Sequence, residues 1–110
     1  MKIASIDAMV LKAPVPGIDT WQAASFAVPF EYAETTLVKV TGEDGTVGWG
    51  EVHAPVAPEV TKTIVDVLIA PTLVGADALD LAPSWDRMYA LMRPRGHALG
   101  FMQEAISGVD

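Results

Sequence analysis

Apolar and polar residues alternate along the first stretch of the chain. From Ile3 to Lys12, the residues Ala4, Ile6, Ala8 and Val10 fall in one row, and Ser5 and Asp7 fall in the other. That is the two-residue period of a strand with one buried face. Pro14, Pro16, Gly17 and Pro29 then punctuate the segment from Ala13 to Ala33, where no period is sustained, and a long loop is predicted there. Loops of this length are uncommon in compact domains and are usually functional or disordered. Thr35 to Thr41 is rich in β-branched residues, Gly42-Glu43-Asp44-Gly45 supplies turn chemistry, and Thr46 to Val52 follows as a further strand. Asp44-Gly45 between two such runs predicts a hairpin.

After His53 the period lengthens. Pro55 and Pro58 end the strand region, and Pro58 or Glu59 opens a helix whose apolar face is predicted at Val60, Ile64, Val67 and Leu68, at helical spacing. Pro71 is expected to end it. Asp80 is placed to cap a second helix, with Pro83 in its first turn and a face of Leu81, Trp85, Met88, Tyr89 and Met92. That stripe reads as core or interface. Arg93-Pro94-Arg95-Gly96 breaks the chain, and a third helix is expected from about Ala98 through Phe101, Met102, Ala105 and Ile106. Strands first and helices afterwards predict an α+β fold, a three-stranded antiparallel meander followed by a three-helix bundle.

Composition narrows the function. The 110 residues form one domain, and a chain that is 51% apolar and 19% charged can bury a core. The absence of cysteine excludes disulfides, a thiolate nucleophile and a cysteine-rich zinc site, and it agrees with the cytoplasmic location expected from an N-terminus without signal-peptide anatomy. A net charge of -7 argues against nucleic acid. Arg87, Arg93 and Arg95 are the nearest approach to a basic patch and read as surface, or as partners for the carboxylates. Asp66 and Pro71 break the longest apolar stretch, Ile64 to Gly75, which is too short to span a membrane.

Candidate chemistry is sparse. His53 and His97 are the acid/base candidates near neutral pH, and without a visible partner each reads more plainly as a polar surface residue. Glu51 reads as a hydrogen-bonded carboxylate at the end of a strand. Glu31 with Glu34, and Asp77 with Asp80, lack a histidine at ligand spacing, so no metal site is predicted. Trp21, Phe26, Phe30 and Tyr32 concentrate four of the eight aromatic residues in the segment between the first two strands.

Two motifs carry a resemblance. Gly48-Trp49-Gly50-Glu51 lies on the third strand, where paired glycines permit a bulge or close backbone approach. Ala105-Ile106-Ser107-Gly108-Val109-Asp110 closes the chain, with small residues suited to close helix packing. In this order of elements, the chain resembles the N-terminal capping domain of the mandelate racemase/muconate-lactonizing branch of the enolase superfamily. The resemblance implies a domain over the mouth of a (β/α) barrel, in an enzyme that abstracts a proton α to a carboxylate and holds the enediolate with Mg²⁺. The metal ligands and acid/base residues would lie on barrel strands absent from these residues. No catalytic residue and no cofactor are therefore expected in this chain, which should be inactive alone. The long loop would fold over the active site, with Trp21 and Phe26 touching substrate, and His53 would begin a second loop toward the barrel mouth. The expected partners are the barrel and, through surface it would cover, a second copy. A stand-alone small-molecule-binding or dimerisation module that kept the capping fold is the alternative.

Overall fold

The computed structural model describes residues 1–14 and 32–110. Strands β1 (Ile3–Pro14), β2 (Tyr32–Gly42) and β3 (Val47–Val52) form one antiparallel sheet in the order β1-β2-β3. Helices α1 (Pro58–Ile64), α2 (Ala70–Leu73), α3 (Leu81–Ala90) and α4 (Phe101–Val109) follow. A π-helical turn, Val65–Ile69, joins α1 to α2 without a break, so the helical layer has three bodies, as the sequence predicts.

The sheet departs from the predicted alternation at both ends. Ile3 pairs with Gly42 and Ser5 with Thr41, and the register shift between them turns Ile3 inward and leaves Ala4 exposed. One extra residue in a strand inverts the faces on either side of it. At the other end, Ala13 pairs with Ala33 and Pro14 with Tyr32, so both limits of the predicted loop lie inside the sheet. Pro14 is tolerated because it ends an edge strand, where one missing donor is least costly. The hairpin closes as predicted. Gly42 N donates to the Thr46 carbonyl at 2.8 Å, Thr46 N donates to Asp44 Oδ1 at 2.9 Å, and Gly45 takes a φ of 86°, which favours glycine.

The helices differ from the predicted ones in four places. Pro71 does not end the first helix but lies within α2. In the widened turn before it, the Ala70 N–H bonds back to the Val65 carbonyl, and this five-residue bonding makes room for a ring that would clash in a regular α-helix. The buried face is also rotated from the predicted one. Thr61, Val65, Ile69 and Leu73 are buried, whereas Val60 is exposed and Val67 is 62% exposed. A threonine takes the inward position because its hydroxyl has buried partners. Finally, Asp80 occupies the cap position of α3 but makes no capping bond through its side chain. Asp77 accepts from Leu79 N at 3.0 Å and from the N-terminal amine at 3.3 Å instead.

The helices cover one face of the sheet. Val38 and Val52 from the strands meet Val65, Ile69, Met88 and Ile106 in a single core. Helix α4 begins at Phe101, after Gly100, rather than at Ala98, and it buries Met102, Ala105, Ile106 and Gly108. Gly50 of β3 faces Gly108: a Cβ built at Gly50 would stand 1.9 Å from the Gly108 carbonyl oxygen. The corrected helix register gives a direct test by urea unfolding. Val67→Lys should alter stability by less than about 0.5 kcal/mol, whereas Ile69→Ala should cost about 2–5 kcal/mol; the reverse order would restore the originally predicted face.

Candidate functional site

The chain leaves one end of the sheet in two places. Pro14 of β1 is paired with Tyr32 of β2, and residues 15–31 connect them. Val52 of β3 is paired with Thr36 of β2 at the same end, and residues 53–57 run from there to α1. The antiparallel meander thus brings the two segments predicted to carry function to one edge of the domain. Trp21, Phe26 and Phe30 lie outside the described residues. His53 is exposed between two buried neighbours, Val52 and Ala54.

Three buried groups hold the short segment. The Thr36 and Thr61 hydroxyls both lie within donating distance of the Pro58 carbonyl oxygen, at 2.9 and 2.8 Å, and 3.1 Å from each other. Both threonines are fully buried. Such groups are costly without partners, and here they supply one another. Just before Pro58, Ala57 has a φ of 52° and a ψ of 55°. This left-handed conformation costs a non-glycine residue about 1–2 kcal/mol, while the following proline disfavours the right-handed alternative. The Ala57 carbonyl accepts from Val60 N at 3.0 Å. A strained residue held on both sides fixes where residues 53–57 emerge.

A charged cluster ties the long segment's base to the same helix. Lys12 Nζ pairs with Glu34 Oε1 at 3.3 Å and also with Glu59 in the first turn of α1. These residues join the end of β1, the start of β2 and α1. The hydrogen bond to Glu59, reinforced by Glu34, raises the Lys12 pKa above its ordinary 10.5, and the bond to Lys12 lowers that of Glu59 below 4.5. Sequence reading missed both this cluster and the threonine network, because their members are distant along the chain and have no shared spacing. Glu51, read from sequence as a structural carboxylate, accepts from Thr35 Oγ1 at 2.9 Å.

Beside the short segment lies a shallow groove lined by Ala54, Pro55, Val56, Gly100, Phe101 and Glu104. Leu99, adjacent along the chain, is 81% exposed. The groove is apolar with one carboxylate, a composition suited to packing or binding rather than proton transfer. Among the described residues, no three His, Cys, Asp or Glu side chains converge as a metal site, and no helix is long and apolar enough to cross a membrane.

Residues 6–110 match the family model described as mandelate racemase / muconate lactonizing enzyme, N-terminal domain. The chain is 38% identical over 76 residues to a D-galactonate dehydratase family member from Paenibacillus sp. (strain JDR-2), a match covering 68% of this chain and 18% of the relative. It is 31% identical over 86 residues to the D-galactarolactone cycloisomerase of Agrobacterium fabrum, covering 78% and 22% respectively. Among solved structures, a member of the enolase superfamily from Agrobacterium tumefaciens superposes with a TM-score of 0.81 at 28% identity, over 98% of this chain and 32% of that one. The chain spans about a fifth of the length of the curated relatives it matches.

The Lys12 cluster predicts a bounded pH dependence. Glu59 is depressed, so its contribution is present above its ordinary pKa and fades as the pH falls through the folded value. Lys12 is raised, so its contribution is present below its ordinary pKa and fades as the pH rises through the folded value. The difference in melting temperature between the natural chain and Lys12→Met should be widest between about pH 5 and pH 10 and should shrink in high salt. A difference that persists unchanged at both pH extremes would remove the ion pairs as its cause.

Proposed function

The chain belongs to the mandelate racemase/muconate lactonizing enzyme family of the enolase superfamily, as its N-terminal domain, and on that premise we propose that it caps the active site of a longer enzyme and helps select the substrate. The observation that carries this reading is the common origin of residues 15–31 and 53–57 at one end of the sheet. Two segments anchored side by side can form a wall over a mouth in a neighbouring domain. Trp21 and Phe26 would supply apolar contacts from the first segment, and His53 a polar contact from the second.

The complete enzyme would act on carboxylate substrates by abstraction of the α-proton. The relatives named for D-galactonate and D-galactarolactone point to acidic sugars and their lactones. The described residues do not fit Mg²⁺, which takes oxygen ligands in a near-octahedral set, so magnesium and the acid/base residues are assigned to a barrel partner in the longer protein, and no step through them is derived for this chain. A cytoplasmic setting and self-association belong to the same reading. The alternative, a stand-alone binding module, draws on the groove beside Phe101, which could hold a small apolar ligand.

Assays of the 110-residue chain with D-galactonate or D-galactarolactone, in the presence of Mg²⁺, should give no turnover above the uncatalysed background. Turnover by this chain alone would overturn the proposal. Saturable binding of a small apolar compound, measured by calorimetry and lost in Phe101→Glu, would favour the stand-alone module.

A further inference from the structure

The two edges of the sheet are treated differently. An edge strand exposes a row of unpaired backbone groups, which proteins ordinarily guard. On β1 the guards are present. Ile3 N donates to the Ala76 carbonyl at 2.9 Å, and Gly75 N donates to the Ile3 carbonyl at 2.8 Å. The register shift follows at once between Ile3 and Ser5, and Lys12 and Pro14 stand at the far end. The β3 edge, Val47–Val52, has no proline, no lysine and no register shift, and Val47, Gly48, Trp49 and Glu51 are exposed.

The hairpin decides which backbone groups of β3 point outward. Gly42 N bonds to the Thr46 carbonyl, and along an antiparallel ladder hydrogen-bonded pairs alternate with non-bonded ones. Gly48, Gly50 and Val52 therefore bond to β2, whereas Val47, Trp49 and Glu51 turn their N–H and C=O groups away from it. Among the described residues no strand lies beyond them, and no loop supplies them with a backbone bond.

Beside this edge, on the helix side of the sheet, lies a cavity of about 200 Å³. Leu73, Leu81, Met88 and Val109 line it together with Gly48 and Gly50. No atom lies within 4 Å of the place a Gly48 Cβ would take, so the strand leaves the cavity open. Apolar space of this size takes hydrocarbon in preference to water. The nearby charges have one sign. Asp110 stands at the cavity, Glu51 lies on the opposite face of β3, and neither makes an ion pair among the described residues.

We propose that the β3 edge binds an extended segment of another polypeptide, in which apolar and basic residues alternate, as a fourth strand. Backbone bonds to Val47, Trp49 and Glu51 supply the attachment, and alternate side chains supply the selection. Successive side chains of an added strand point to opposite faces. Apolar ones then enter the cavity, and basic ones reach Glu51 and the Trp49 ring on the other face. A net charge of -7 repels an acidic segment and attracts a basic one. This inference does not rest on the capping reading, and it uses neither His53 nor the groove beside Phe101.

Amide NMR of the 110-residue chain, titrated with a short synthetic peptide alternating valine and lysine, tests it. The Val47, Trp49 and Glu51 amides should shift saturably, and a valine–glutamate peptide should leave them unmoved. Two further peptides carry N-methyl groups on one or the other alternate set of amides. One should bind and the other should not, because a strand offers only every second N–H to its neighbour. Val47→Pro removes one outward donor and no bond to β2, and it should weaken binding about tenfold. Gly48→Leu fills the open space and should weaken it at least as much, with circular dichroism confirming that both variants are folded. No saturable shift at the three amides, equal binding of the two methylated peptides, or undiminished binding to folded Gly48→Leu would overturn the proposal. So would the same shifts produced by raising the chain concentration alone, which would make a second copy the occupant.

Discussion

The architecture depends on how closely α4 lies against β3. At Gly50 the strand carries no side chain, and the space a Cβ would occupy holds the Gly108 carbonyl group. Gly108 is constrained in turn: a Cβ there would stand 2.2 Å from Cγ2 of Val52. At Gly50 the strand meets helix backbone, and at Gly108 the helix meets the buried Val52 side chain, so a glycine is needed on each element. The contact brings Ala105 and Ile106 fully into the core beside Val52. It also sets the exit of β3, and so the position of His53, as well as the groove between residues 54–56 and the start of α4.

This contact accounts for the two motifs that were legible in the sequence. Gly48-Trp49-Gly50-Glu51 and Ala105–Asp110 lie more than fifty positions apart, yet Gly50 and Gly108 are the two sides of one packing surface. The glycines of the first motif are not equivalent, since Gly48 has no neighbour near the space of a Cβ. The hairpin was legible too, because Asp44 and Gly45 act within the turn they form. Local chemistry and period are visible in one sequence; partners distant along the chain are not. The Thr36–Thr61–Pro58 network makes Thr61 a buried residue and turns Val60 outward, against the usual apolar preference. The π-helical turn before Pro71 and the inversion at Ala4 each shift a simple period by one residue. Neither leaves a compositional trace. Lys12, Glu34 and Glu59 gave no signal for the same reason, and Trp21 and Phe26, the site residues expected from the resemblance, lie outside the described residues.

The molecule divides its surfaces by task. One sheet face and the inner sides of the helices form the core. One end of the sheet anchors both segments proposed to meet substrate, through strained backbone at Ala57, paired buried hydroxyls and the Lys12 ion pairs. The opposite sheet face carries exposed Trp49, with the Lys39 ammonium 5.8 Å from its ring centre. The Gly50–Gly108 contact serves each of them by fixing the frame on which they stand.

The most direct test of that contact compares alanine at the two glycines of β3 by urea unfolding. Gly48→Ala should change stability by less than about 1 kcal/mol, because a methyl group there enters open space. Gly50→Ala should cost at least about 2 kcal/mol, because α4 must move to admit it. Equal effects at the two positions, or a stable Gly50→Ala protein, would contradict the close approach of α4 as the organising constraint of the fold.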